Sequence, residues 1–321
     1  MPPLPEKKIR IGTRGSPLAL VQTRLTVERL AAFCPSLGPA ESFEIIPIKT
    51  SGDRASKAQS DQRLKAYGGK GLFTMELEEA LQRGQIDIAV HSVKDMPTWL
   101  DAALGLAAIL PREDPRDALI TATPMRFTDL PKGAVMGTSS PRRAAQLLAL
   151  RPDLAIQPLR GNVETRLKKI ESGQAAATLL AIAGLKRLGL EARISEILPP
   201  EIMLPSVGQG AIGLETRLAD TALNEALAAA SCAASFAAVA AERAMLDILK
   251  GDCDTPIGGL ATEQNGVLTL EGLVVHPSGS GLWRVKASAP IKDAVRLGKE
   301  AGNQLRAKVP SGILPEQGLY S

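Results

Sequence analysis

Histidine is nearly missing from this chain: 321 residues contain only His91 and His276. Chemistry resting on a Ser-His or metal-His constellation has little material here, and no metal site is expected. The three cysteines, Cys34, Cys232 and Cys253, are an odd number without paired spacing. That argues against a disulfide framework or a zinc site and fits a reducing cytoplasm. Aromatic residues are 3% of the chain, which leaves few platforms for stacking bases. No basic run or RNA-binding motif makes up for this, so nucleic acid is not the expected partner. No run of 18 or more apolar residues occurs, so no membrane span or membrane partner is expected. The stretch from Met1 to Lys8 lacks the apolar core of a signal peptide, so export is not expected either.

What is present points to a multidomain α/β protein. The length and the 45% hydrophobic content suit two or three cores. The net charge of +4 decides little, but its distribution is informative. Arg142, Arg143, Arg151, Arg160, Arg166 and Arg187 fall in one stretch. Arginine forks pair bidentately with carboxylates or phosphates, so an anionic partner is indicated.

Short apolar runs alternate with helical patterns. Ile9 to Thr13, Phe43 to Thr50 and Ile86 to His91 read as strands, with helices opening at Ser16-Pro17 and spanning Phe73 to Arg83. This βαβ alternation argues for parallel strands in an α/β layer. Residues 51 to 71, rich in charge and glycine, read as a long loop of the kind that closes over a site. A second unit follows the segment Pro111 to Asp117. It has strands at Ala134 to Gly137, Ala155 to Leu159 and Ala177 to Ala181, and helices from Ser140-Pro141 and Asn162. Leu198 to Pro205 reads as a crossover linker, and Asp220 to Lys250 as alanine-rich helix. Beyond Gly251 the pattern alternates as in a strand meander, at Val267 to Val275 and Leu282 to Ala287, before a closing helix over Ile291 to Ala307.

Two helix starts carry the same chemistry: Thr13-Arg14-Gly15-Ser16-Pro17 and Gly137-Thr138-Ser139-Ser140-Pro141-Arg142-Arg143. Each follows a strand and offers free N–H groups, a hydroxyl and arginine at a positive dipole end. Either alone reads equally as an ordinary N-cap with a solvated arginine. Two in two α/β units suggest a cleft in which both face one anion. The segment His91-Ser92-Val93-Lys94-Asp95-Met96-Pro97 closes a strand at its carboxyl end, where ligand groups gather. An acid there can stabilise a cation or move protons, and a Lys-Asp surface pair in a turn is the plain alternative. His91 reads as a hydrogen-bonded packing residue. Cys253 lies in a tight loop, Gly251 to Gly259, whereas Cys232 reads as helix core. The aspartates flanking Cys253 do not suggest a low-pKa nucleophile, and a buried structural cysteine is the competing reading.

The stretches IGTRGSPLAL, GGKGLF, IAVHSVKDMP, REDPRDAL, GTSSPRR, LRGNVETRL, AIAGLKRLGL, LPSVGQGAIGLE, AERAML and CDTPIGG, in this order and spacing, resemble the porphobilinogen deaminase (hydroxymethylbilane synthase) family. The resemblance implies an α/β protein of three domains. The first two would be mixed sheets with helices like type II periplasmic binding proteins, and the third a small α+β domain with an antiparallel sheet. The boundaries expected are 1–110 with about 205–228 for domain 1, 111–204 for domain 2, and 229–321 for domain 3. It implies a transferase of porphyrin and haem biosynthesis that adds porphobilinogen units head-to-tail, with loss of ammonia, to a dipyrromethane cofactor and releases hydroxymethylbilane by hydrolysis. It places the thioether attachment at Cys253, the catalytic carboxylate at Asp95, and cofactor contacts at Lys94, Asp95, Ser139, Ser140, Arg142 and Arg143. Substrate contacts fall on Arg14, Ser16, Ser92, Arg160, Arg166 and Arg187. A cytoplasmic monomer is implied.

Three positions depart from the family's usual pattern. Pro141 stands where leucine is common, Asp252 where a glycine precedes the cysteine, and Ala176 where aspartate is common. Proline in a first helical turn should leave the anion site intact. A non-catalytic anion-binding protein of the periplasmic type is the main alternative, and the absence of an export signal and the loop cysteine count against it. A DNA-binding regulator would need a helix-turn-helix, for which no room is expected ahead of the first strand.

Overall fold

The computed structural model of the chain describes residues 8–50, 74–251 and 255–315. The loop expected over 51–71, and Cys253 with its flanking Asp252 and Asp254, lie outside the described residues. The chain divides into two compact units, residues 1–112 with 211–236, and residues 113–210 with 237–321.

The first unit is built on a five-stranded sheet. Its strands are β1 (Ile9–Arg14), β2 (Phe43–Ile48), β3 (Ile88–Ser92), β4 (Leu104–Ile109) and β10 (Ile212–Arg217), in the order β2-β1-β3-β10-β4. β1 runs parallel to β2 and β3, while β10 is antiparallel to β3 and β4. Helix α1 (Pro17–Phe33) follows β1, α2 (Met75–Gln82) precedes β3, and α6 (Thr221–Ala228) follows β10. The core runs through Ile11, Leu30, Ile88, Val90, Leu214 and Leu227.

The second unit contains two sheets. β5 (Asp117–Thr121), β6 (Val135–Gly137), β7 (Ala155–Gln157), β8 (Ala177–Ala181) and β9 (Glu196–Leu198) are ordered β7-β6-β8-β5-β9. β6 is parallel to β7 and β8, and β5 is antiparallel to β8 and β9. This repeats the layout of the first sheet position by position. Helices α3 (Pro141–Leu150), α4 (Val163–Glu171) and α5 (Ile182–Arg187) follow β6, β7 and β8. The other sheet is an antiparallel meander, β11 (Ile257–Gln264), β12 (Val267–Val275) and β13 (Leu282–Pro290). It packs on α7 (Ala233–Leu249) and α8 (Ala294–Lys308) through Ala241, Met245, Leu270, Leu297 and Leu305. Ala145 of α3 meets Leu204, Leu260 and Leu273 in a further apolar cluster joining the two sheets of this unit.

The periodic pattern points to parallel strands, whereas the sheets are mixed, as the family resemblance implies. β5 and β10 each enter antiparallel as the fourth strand. Their sequences, DALIT and IGLETR, are short and buried, so they carry no clean alternation. β4, half-buried along its middle, and β11, which opens on Ile257-Gly258-Gly259, also lack alternation in sequence.

Candidate functional site

In the first unit, β1 and β3 are parallel neighbours, so their carboxyl ends lie on one side of the sheet. The chain leaves β1 at Arg14 and turns into α1. Ser16 caps that helix, its Oγ accepting from the N–H of Ala19 at 3.3 Å, with Pro17 in the first turn. It leaves β3 at Ser92 and makes a short 3-10 turn over Val93–Asp95. Arg14, Ser16, Gln22, Thr74, His91, Ser92 and Asp95 line one small cavity of about 60 Å³. Four residues assigned from the sequence, Arg14, Ser16, Ser92 and Asp95, therefore converge. Arg14 Nη1 lies 3.9 Å from Asp95 Oδ2, and the Asp95 side chain keeps 37% of its exposure. The carboxylate is held near a cation yet remains open to a reactant.

Gln22 has a part the sequence did not reveal. Its side-chain amide faces Ser92, with Nε2 donating to Oγ at 3.0 Å and the hydroxyl 3.1 Å from Oε1. Gln22 is one of three polar residues on the buried side of α1, with Thr23 and Thr26, a side visible only in the tertiary structure. His91 is buried and its Nε2 lies 2.9 Å from Oε2 of the fully buried Glu215 on β10, the packing role expected of it. On α2, burial pushes the Glu78 carboxyl above the usual range, and the charge of Glu215 adds to this. Lys94 is half-buried on the 3-10 turn beside Asp95.

The second unit has the matching start. β6 ends at Gly137, and α3 begins at Pro141, so the departure to proline fits a first helical position. Ser140 Oγ accepts from the N–H of Arg143 at 3.4 Å. The two arginines are not displayed on the surface, however. Arg142 and Arg143 are each 6% exposed and converge on Asp117, the wholly buried first residue of β5. Arg142 Nη2 donates to Oδ2 at 2.8 Å and Arg143 Nη2 to Oδ1 at 2.6 Å. Arg142 Nη1 donates to the Leu204 carbonyl at 2.7 Å, and Gln209 Nε2 to Asp117 Oδ1 at 2.9 Å. Burial alone would raise the Asp117 carboxyl, but the two guanidinium charges outweigh it and hold it well below the usual carboxylate range. Burial holds Arg142 below its ordinary value.

Ser139, Arg160, Arg166 and Arg187 belong to the same unit. Ser139 is exposed in the turn before α3. Arg160 is exposed, and half-buried Arg166 donates from Nε to the Gly161 carbonyl at 2.8 Å near the start of α4. Arg187, at the end of α5, donates to the Gly210 carbonyl at 2.6 Å. Burial lowers its pKa to about 10, against the opposing charge of Glu113. Gly210 sits at φ +87°, and a Cβ there would meet the Glu113 carbonyl oxygen at 2.3 Å, so this turn needs glycine.

Glu242 on α7 is another residue the sequence did not single out. It is fully buried and its two oxygens accept from the N–H groups of Gly208 at 2.7 Å and Ala261 at 2.8 Å. It thereby ties the turn bearing Gln209 to β11, the strand that begins four residues after Cys253. Of the other cysteines, Cys34 is buried, which pushes its thiol up. Cys232 corrects the expectation of helix core: it stands half-buried just ahead of α7. Burial pushes its thiol up, but hydrogen bonds from Ser235 and the Ala234 N–H outweigh this and hold it below the ordinary value.

The model of the porphobilinogen deaminase dipyromethane cofactor binding domain matches residues 9–225, and that of the porphobilinogen deaminase C-terminal domain matches residues 236–307. A porphobilinogen deaminase of Paracoccus denitrificans is 48% identical over 309 residues, covering 96% of this chain and 97% of the relative. Among solved structures, the VFT2 domain of Bordetella pertussis BvgS (double mutant F375E/Q461E) is 18% identical over 70% of this chain and 85% of its own, with a TM-score of 0.39. A Salmonella typhimurium periplasmic binding protein is 14% identical over 70% and 91%, also with a TM-score of 0.39.

Proposed function

The chain belongs to the porphobilinogen deaminase family, and on that premise we propose how its residues divide the work. The activity is that of a transferase of tetrapyrrole biosynthesis, joining porphobilinogen units with loss of ammonia on a dipyrromethane cofactor. The observation that carries the assignment of roles is the convergence of Arg14, Ser16, Ser92 and Asp95 on one cavity at the carboxyl ends of β1 and β3.

The described residues suit the cofactor. It bears acetate and propionate arms, and Asp117 with Arg142 and Arg143 forms a buried cluster carrying two positive charges and one negative. When bound, dipyrromethane supplies the pyrrole carbon to which the first unit is joined. Arg142 and Arg143, with Ser139 and Ser140 at the helix start and Lys94 beside Asp95, hold its carboxylates and orient it. Arg14, Ser16, Ser92, Arg160, Arg166 and Arg187 receive the carboxylates of porphobilinogen and the growing chain, since each ring adds two. Asp95 is the catalytic carboxylate. Loss of ammonia from porphobilinogen leaves a cationic methylene-pyrrole, and a fixed carboxylate stabilises that charge more than mobile water does. Asp95 Oδ then accepts the ring proton released when the new carbon–carbon bond has formed.

Attachment at Cys253 rests on the family match of CDTPIGG and on elimination among the thiols: Cys34 is buried, and Cys232 is engaged at the start of α7. Cys253→Ser should yield full-length protein that lacks both the dipyrromethane mass and the activity. A normal mass adduct on that variant overturns the attachment. We further infer a cytoplasmic monomer without nucleic-acid or membrane partners, supported by the scarce aromatics and odd thiol count. A domain division at about residues 110, 205 and 229 is supported by three separate sheets. Light scattering tests the monomer, and tight salt-sensitive DNA binding would contradict the reading of the arginines.

A further inference from the structure

The charges around Asp117 do not balance. Two guanidinium groups face one carboxylate, so the cluster carries a net charge of +1 although all three side chains are buried. Asp117 accepts three hydrogen bonds, from Arg142, Arg143 and Gln209. Arg142 spends its other terminal nitrogen on the Leu204 carbonyl. Arg143 does not reach this state: its Nε is buried with no acceptor among the described residues. A carboxylate placed only to satisfy a buried cation needs one arginine. A second, left in excess with an unmet N–H, raises the cost of folding unless an anion completes the cluster.

We propose that Asp117 is a positioning residue for the reaction: it binds Arg142 and Arg143 into a single monovalent receptor whose missing partner is one carboxylate of the dipyrromethane. The proposal rests on the reading of these arginines as cofactor contacts and adds the residue that sets their geometry and charge. Two arginines in adjacent positions of a first helical turn repel each other. Asp117 brings one Nη of each to its two oxygens, which fixes both forks before any ligand arrives. The cofactor then meets an arranged pair of cations at no cost in side-chain ordering. The antiparallel strand is what makes this possible, since it enters the sheet beside β8 with Asp117 as its first residue.

The test uses full-length Asp117→Asn, Asp117→Glu and the double variant Asp117→Asn with Arg143→Gln, purified as the wild type is. Asp117→Asn leaves two buried cations unbalanced. Its unfolding midpoint should fall by roughly 5 °C or more in low salt and recover in part on adding succinate, a recovery the wild type does not show. By intact mass, the fraction of chains carrying dipyrromethane should drop roughly tenfold, while chains that carry it add their first pyrrole within about threefold of the wild-type rate. Asp117→Glu should restore much of the occupancy. If Asp117→Asn alone is too unstable to study, the double variant returns the net charge to +1 and should fold again, still deficient in cofactor.

A midpoint loss in Asp117→Asn that succinate leaves unchanged makes the residue merely structural and overturns the proposal. So does full cofactor occupancy in Asp117→Asn, or a double variant no more stable than that single one. Failure of the underlying reading looks different: Arg142→Leu and Arg143→Leu would then both carry full cofactor, whatever succinate does to Asp117→Asn.

Discussion

The two helix starts, β1–α1 in the first unit and β6–α3 in the second, occupy equivalent positions in two sheets of the same strand order. Both have a serine N-cap and a proline in the first turn. They differ in where the arginine stands. Arg14 precedes its cap, is partly exposed and lies loosely beside a half-open aspartate. Arg142 and Arg143 follow theirs, inside the helix, and are driven into the core onto Asp117. The fourth strand of each sheet also contributes a fully buried carboxylate, but Glu215 meets His91 whereas Asp117 meets the helix start. A shift of four or five residues relative to the cap thus separates a half-buried arginine beside the candidate catalytic carboxylate from arginines driven into the core. On this account the first start serves chemistry and the second serves retention.

Arg142→Leu or Arg143→Leu removes a buried partner of Asp117 and should cost about 2–5 kcal/mol of stability together with most of the cofactor. Denaturant titration and intact mass read the two losses, and a surface-like cost below about 0.5 kcal/mol would dissolve the distinction. Arg14→Leu should show the opposite balance: stability within about 1 kcal/mol of wild type, since its ion pair with Asp95 is long at 3.9 Å, but turnover lowered roughly a hundredfold. Acid provides a third contrast. The folded-state pKa of Asp117 lies below that of an unfolded aspartate, about 3.9, so its stabilising contribution is complete above that value and is lost as pH falls beneath it. Midpoints between about pH 5 and 3 should therefore fall less steeply in Asp117→Asn than in wild type. The smallest effect is shared: Ser16→Ala and Ser140→Ala should each cost about 1 kcal/mol, because the caps are locally alike. A large difference between them would show that one serine holds more than its helix.

Much of this was legible in the sequence. Ser16-Pro17, Ser140-Pro141 and Asn162 announced their helices because capping is local chemistry, and the structure shows each capping bond. The placement of Asp95 at a strand's carboxyl end was likewise read from residues close in the chain. Asp117 was not legible in its role. It stood within the quoted stretch REDPRDAL, but its partners are 25, 26 and 92 residues away. Its strand gave no alternation because every residue of DALIT is buried. Glu242 was hidden in the same way, on an alanine-rich helix whose buried side only the tertiary structure defines. Cys232 was misplaced because the helix begins one residue after it, a boundary that propensity does not set. Nothing in the structure explains why Ala176 stands where the family commonly has aspartate.

The division between chemistry and retention rests most heavily on Asp95. Single-turnover addition of porphobilinogen to the Asp95→Asn variant, followed by intact-mass spectrometry, tests it directly. The asparagine keeps the size and loses the charge, so the account expects folded protein that carries the dipyrromethane but gains pyrrole units at no more than a small fraction of the wild-type rate, with Asp95→Glu slow but active because its charge is displaced by about one methylene. If Asp95→Asn gains units at the wild-type rate, the catalytic carboxylate is elsewhere and the cavity at the ends of β1 and β3 is not the site of bond formation.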